Sequence, residues 1–295
     1  MLERKGLGAW PRVPVIGLLA LLALGTSPLG GQDGEKKPGL FGPWAATAEV
    51  SYVVTGGNTS TSAFSLGTTF SRKWAKDTLL FKSYILKSNS TTTTRTAMGT
   101  EDDFEVFESS LTRKVAENYL FAAQYDRNIS KRLTGQAGLS WDRNRFAGID
   151  DRLIGTLGFG YAVVDKPRTK VKASAGVTYT GRQYLGLDWE SFGGLRFTAS
   201  VEKKVFEKST LGSVFVFDEN LKDGPDWRFD WTNSVSATIS KGLALKVSLR
   251  TLYTNQPALQ AIPLYDLAGE PTDLTVFVPL KKLDSFFTTS IVINF

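Results

Sequence analysis

From Trp44 to Phe295, apolar and polar residues alternate with a period of two. Between Lys170 and Thr180, one parity holds Val171, Ala173, Ala175, Val177 and Tyr179, and the other Lys172, Ser174, Gly176, Thr178 and Thr180. Between Trp227 and Ile239 the apolar parity is Trp227, Phe229, Trp231, Val235, Ala237 and Ile239, interleaved with Arg228, Asp230, Thr232, Ser234, Ser236 and Thr238. Two is the strand repeat, because successive side chains point to opposite faces. The pattern predicts strands over 44–56, 60–73, 77–88, 115–129, 132–145, 152–164, 170–183, 191–205, 210–221, 227–240, 243–254 and 284–295. That is about twelve strands, each long enough to cross a bilayer, for which a tilted strand needs roughly 9–11 residues. Only 210–221 hides its facing, since Val214, Phe215, Val216 and Phe217 are apolar on both parities.

The last strand is the most informative. Phe287, Thr289, Ile291, Ile293 and Phe295 fall on one face, and Thr288, Ser290, Val292 and Asn294 on the other. A strand ending on an aromatic is the expected last strand of a bacterial outer-membrane barrel, with Phe287, Ile291, Ile293 and Phe295 as the residues read by the barrel-assembly machinery.

Alternation alone does not distinguish a soluble sandwich, with the apolar face inward, from a membrane barrel, with the apolar face on lipid. Three features favour the membrane. Short connections (74–76, 130–131, 165–169, 206–209, 241–242) alternate with longer ones (146–151, 184–190, 222–226) and two long excursions, 89–114 and 255–283. Short turns on one rim, the periplasmic one, are the outer-membrane arrangement; the link 57–59 departs from it. Aromatics collect near strand ends: Trp141, Tyr179, Trp189, Trp227, Phe229 and Tyr253 toward the long-loop rim, Phe70, Trp74 and Phe295 toward the other. Such belts mark bilayer interfaces. Finally, the charges on the apolar parity, Arg72, Arg127 and Arg143, sit near turns, where a charge costs little.

The expected fold is therefore all-β: a transmembrane, up-and-down antiparallel barrel. Its polar parity places Glu49, Lys82, Asp126, Asp142, Lys172, Arg182, Arg196, Glu202, Arg228, Asp230, Lys246 and Arg250 in the lumen. Opposed charges there either pair and fill a narrow interior or form charged rings that set the selectivity of a weakly anion-preferring pore. On this facing an arginine at Val177 meets lipid and blocks assembly, whereas one at Thr178 meets the lumen and is tolerated.

Composition narrows the chemistry. The 295 residues include no Cys and no His, which excludes disulfide scaffolds, Cys- or His-ligated zinc and Ser-His or Cys-His dyads. No catalytic residue, metal site or cofactor is expected. Asp150-Asp151 and the acidic run Glu101-Asp102-Asp103 with Glu105 read as solvated loops rather than as a hydrolase pair or a cation site. The longest apolar run, 13–25, follows Arg4, Lys5 and Arg12 and is too short for a spanning helix; residues 1–31 read as a secretory signal peptide and 32–43 as a flexible periplasmic leader. Removing 1–31 takes +2 of the formal +6, leaving +4. Both signs are interspersed, which gives no nucleic-acid footprint.

Thr55-Gly-Gly-Asn-Thr-Ser60, Asp142-Arg-Asn-Arg-Phe-Ala-Gly-Ile-Asp150 with Arg152, and Gly158-Phe-Gly-Tyr161 with Asp165 carry a resemblance over roughly 44–295. The chain resembles the YdiY-like family of salt-induced outer-membrane proteins, built on a domain of unknown function. The resemblance implies a barrel in the outer membrane of a Gram-negative-type bacterium and supplies no catalytic residues. The 89–114 and 255–283 excursions depart from the family pattern. The expected role is a non-enzymatic barrel, either a narrow channel or a structural, envelope-stress protein. It would be monomeric and in contact with outer-membrane lipid and lipopolysaccharide. An outer-membrane hydrolase and a soluble secreted binding barrel are the alternatives.

Overall fold

The alternating segments close into a ring. The computed structural model describes residues 41–55, 59–99, 104–265 and 270–295; the signal peptide, most of the leader and Glu101-Asp102-Asp103 lie outside them. The strands are β1 (Ala45–Thr55), β2 (Thr59–Lys73), β3 (Asp77–Gly99), β4 (Phe104–Asn128), β5 (Leu133–Asn144), β6 (Ile149–Lys166) and β7 (Thr169–Tyr184). They continue as β8 (Glu190–Phe206), β9 (Ser209–Asn220), β10 (Trp227–Ser240), β11 (Leu243–Thr254), β12 (Leu259–Tyr265), β13 (Pro271–Pro279) and β14 (Leu283–Asn294). All but β12 and β13 form one closed antiparallel barrel, in which β14 pairs with both β11 and β1.

The outer wall is apolar. Val177, Leu157, Phe159, Tyr179, Phe197, Val235 and Phe287 all project outward and are exposed, so a band of oily side chains circles a barrel whose backbone bonds are internally satisfied. Such a wall is stable only against hydrocarbon. The molecule is a transmembrane barrel of the outer-membrane type. Aromatic clusters frame the band. Near the long-loop rim Trp227 stacks on Tyr253 at 5.1 Å and Tyr253 on Phe229 at 5.4 Å. Near the short-turn rim Phe41 packs edge-on against Phe70 at 5.6 Å and Phe295 at 5.7 Å. The outward arginines sit in these belts: Arg72 over Trp74 at 5.0 Å, Arg143 on Asp151 at 2.7 Å, and Arg127 beside Asp77 at 3.4 Å.

Three expectations need correction. Residues 89–99 and 104–114 are not a loop but continue β3 and β4 as a two-stranded ribbon beyond the rim. Its cohesion comes from cross-strand pairs on one face: Thr91 with Thr112 at 2.8 Å, Thr93 with Ser110 at 2.9 Å, Arg95 with Glu108 at 2.7 Å. The run of threonines lacks hydrophobic alternation yet favours strand through β-branching, so a period-two search in polarity overlooks it. At its base the Tyr119 hydroxyl donates to the Glu117 carboxylate at 2.9 Å. Within 255–283, β12 and β13 form a separate hairpin. And Thr178 is 8% exposed against 56% for its neighbour Val177: its side chain is covered on the inner face, so an arginine there must displace its neighbours.

Candidate functional site

Strand pairing carries a face around the barrel. Asp126, Gln136, Gly158, Gly176, Arg196, Asp218 and Arg228 are successive cross-strand partners from β4 to β10, so all lie on the inner face. The same bookkeeping of register puts Glu49, Lys82, Asp142, Lys172, Arg182, Glu202, Asp230, Lys246 and Arg250 on that face too.

Five interior arginines occupy the long-loop half, each seated on a carboxylate. Arg152 binds Asp142 through two bonds, at 2.9 and 2.7 Å. Arg196 binds Asp218 at 2.6 and 3.0 Å, and Arg228 adds a third bond to the same carboxylate at 2.8 Å. Arg250 holds Asp230 at 2.6 Å. Arg182 reaches Glu190 at 2.6 Å and Asp226 at 2.7 Å while lying between the rings of Tyr184 and Phe192. Two-pronged charge-assisted bonds are the strong kind, and here they fix the arginines to the wall.

Asp218, Arg152, Glu190 and Asp226 were missing from the lumen set read off the sequence. Asp218 was hidden by the two-faced apolar run of β9; in the structure Val214 and Val216 share its inward parity while Phe215 and Phe217 face out. Glu190 and Asp226 fall in the predicted connections 184–190 and 222–226. Arg152 belongs to the family pattern, and its segment folds into nested pairs: Asp142 with Arg152, Arg143 with Asp151, Arg145 with Asp150. Asp150 and Asp151 each carry an arginine partner, which describes a braced hairpin tip.

The interior lysines behave differently. Lys82, Lys170, Lys172, Lys204 and Lys246 all lie in the short-turn half. Lys246 meets Glu49 at 3.1 Å, and Lys170 is the cross-strand partner of Glu202. Asp126 accepts from Gln124 at 2.8 Å and Gln136 at 3.4 Å.

The bore is tight through its middle. Ser290 is 1% exposed, and Thr180, Thr232, Ser248 and Val292 on the same face are buried. Arg250 on β11 is within electrostatic reach of Asp142 on β5, on the opposite wall. Leu80, Tyr84 and Ile154 add apolar bulk inside. The long-loop mouth is crossed as well. Residues 255–265 and 270–282 leave β11 and return to β14, anchor on the β9–β10 loop through Asn255 Nδ2 to Pro225 O at 2.9 Å, and bring Ala258 and Leu280 against Gly148 in the β5–β6 connection. A Cβ on Gly148 would stand 2.3 Å from that of Ala258, and its φ of +76° favours glycine. This segment is a strap from one wall to the other. The short-turn mouth carries no comparable cover among the described residues, and Lys172 and Lys204 there are exposed.

The sequence model of a family described as "Protein of unknown function, DUF481" matches residues 48–266. The chain belongs to that family. This DUF481 protein is also similar to solved barrels. A NanC porin shares 8% identity, with 84% of this chain and 98% of that one covered and a TM-score of 0.43. A KdgM porin in complex with disordered oligogalacturonate shares 8%, with coverage of 85% and 99% and a TM-score of 0.41. The translocator domain of autotransporter NalP from Neisseria meningitidis shares 11%, with coverage of 85% and 86% and a TM-score of 0.41. No curated protein sequence matches this DUF481 chain.

Proposed function

We propose that the chain is a non-enzymatic outer-membrane channel of small bore, covered at its long-loop mouth by its own strap around Asn255, Ala258 and Leu280. The twelve interior charges read from the sequence, with Asp218, Arg152, Glu190 and Asp226, act as its selectivity lining. The observation that carries this reading is the strap: Ala258 lies against Gly148 on the far wall, an arrangement that closes a bore without filling it. The outer wall faces lipid and, in its outer leaflet, lipopolysaccharide. The outward Phe287, Ile291, Ile293 and Phe295 present the last strand to the assembly machinery, and the barrel works as a monomer.

Planar-bilayer recording tests it. The refolded chain is expected to pass small, infrequent currents, and deletion of 259–279 with a short glycine bridge to raise the open fraction. Silence from both proteins would favour a structural barrel instead. That second reading draws on Leu80, Tyr84, Ile154 and Val292, buried on the inner face.

A further inference from the structure

Every short turn of the barrel ends in a cation. Lys76, Lys131 with Arg132, Arg168, Lys208 and Lys241 stand at the tips of the turns 74–76, 129–132, 167–168, 207–208 and 241–242, all of them exposed. Glu207 is the single acidic residue among these turn positions. The ring opens inward onto a second tier, where Lys170, Lys172 and Lys204 lie around Glu202 on the inner faces of β7 and β8. Nearby carboxylates do not cancel this surplus. Asp77 is engaged by Arg127 and by the Tyr125 hydroxyl at 2.6 Å, and Asp165, the cross-strand partner of Lys170, joins Glu202 as the second carboxylate beside the three inner lysines.

Two stacked tiers, each with a surplus of positive charge and the inner one in a confined mouth, concentrate counter-ions. We infer that the short-turn mouth is a docking site for a soluble multivalent anion, a polyphosphate or polycarboxylate, on the periplasmic side. Lipid headgroups also carry phosphate, but they surround the barrel and reach only the outward parity, where Arg72, Arg127 and Lys203 lie. Lys170, Lys172 and Lys204 face the bore and are out of their reach. A ligand that sits across the opening contacts both tiers at once. The inference concerns binding at the mouth and stands whether or not the bore conducts.

The test uses the full chain refolded into nanodiscs of purely zwitterionic lipid, with inorganic tripolyphosphate as the probe and calorimetry as the readout. Saturable binding that weakens with added salt is expected. Lys170→Gln/Lys172→Gln/Lys204→Gln and Lys131→Gln/Arg132→Gln/Arg168→Gln should each weaken it by about tenfold, as the loss of several attractive charges requires. Lys222→Gln on the opposite rim should leave it unchanged. All variants are checked for the heat-sensitive gel mobility of a folded barrel. Unaltered binding in the inner-tier variant would overturn the proposal. So would failure of tripolyphosphate to bind while nanodiscs doped with phosphatidylglycerol retain that lipid in a ring-dependent manner, which would assign the cations to the membrane.

Discussion

Asp218 anchors Arg196 through a parallel pair of bonds, Nε to Oδ1 at 2.6 Å and Nη2 to Oδ2 at 3.0 Å, and Arg196 extends from there back across β7 to the Thr156 hydroxyl at 3.2 Å. With Arg228 on its other side, this one carboxylate is shared by two guanidinium groups inside the barrel. Removing one partner of a buried ion pair leaves a charge without compensation, at a cost of about 3 kcal/mol or more. Asp218→Asn should therefore lower the unfolding midpoint of the refolded barrel in urea, and Asp218→Glu should recover part of the loss. A midpoint equal to the wild type for Asn would mean that the arginines are held by other groups.

Gly158 and Gly176 are cross-strand partners on the inner face, beneath the reach of Arg196. A Cβ on Gly176 would lie 2.4 Å from the Leu157 carbonyl oxygen and 2.9 Å from the Gly158 Cα. Backbone is what it would strike, so relief requires moving a strand. Gly176→Val is expected to abolish the heat-sensitive gel mobility of the folded barrel. Gly155→Ala, where the nearest atom is 3.9 Å away, should fold as the wild type does.

Adjacent positions on β7 should both reject arginine, for different reasons. Val177→Arg places a charge on the lipid face near mid-strand, a cost of about 2–4 kcal/mol. Thr178→Arg forces a long side chain into a packed interior. Thr178→Ser should be tolerated. Folded yield in lipid vesicles measures all three, and a wild-type yield for Thr178→Arg would show that the bore is roomier than its buried lining indicates.

The ring closes through a short ladder. Thr47 to Val50 pair with Asn294 to Ile291, whereas β1 pairs with β2 from Ala45 to Thr55 and β11 with β14 from Leu243 to Tyr253. The chain has no native cysteine, so engineered pairs report cleanly. Ala48→Cys/Ile293→Cys, within the ladder, should oxidise to a disulfide in the folded barrel. Val53→Cys/Thr288→Cys, which would be opposite only if the same register ran on, should not, because a bridge needs Cα atoms within about 7 Å. Efficient bridging at both sites would show a fully zipped seam.

How much of this could be read from residues alone depends on which physical signal each element carries. Strands β7 and β10 announce themselves because one face meets hydrocarbon and the other does not. The lumen facing of Arg182 or Lys246 follows from parity once that is known. The ribbon of β3 and β4 beyond the rim is invisible to the same logic, since both of its faces meet water and its threonines supply only a backbone preference. Asp218 is lost for the opposite reason: β9 is apolar inside and out. The contact of Ala258 with Gly148 joins residues far apart in the chain, and no local pattern encodes it. Parity alone allows a filled interior or a charged ring; the structure adds which partner each arginine takes.

The segregation of lysines to one end of the bore and of carboxylate-locked arginines to the other makes the barrel electrically lopsided. Anions drawn to the short-turn opening would meet lysines first and arginines fixed to carboxylates afterwards, while those arriving from the opposite side would meet the sequence reversed. Any current through such a conduit would rectify, and the sign of that asymmetry would report which way round the protein had inserted.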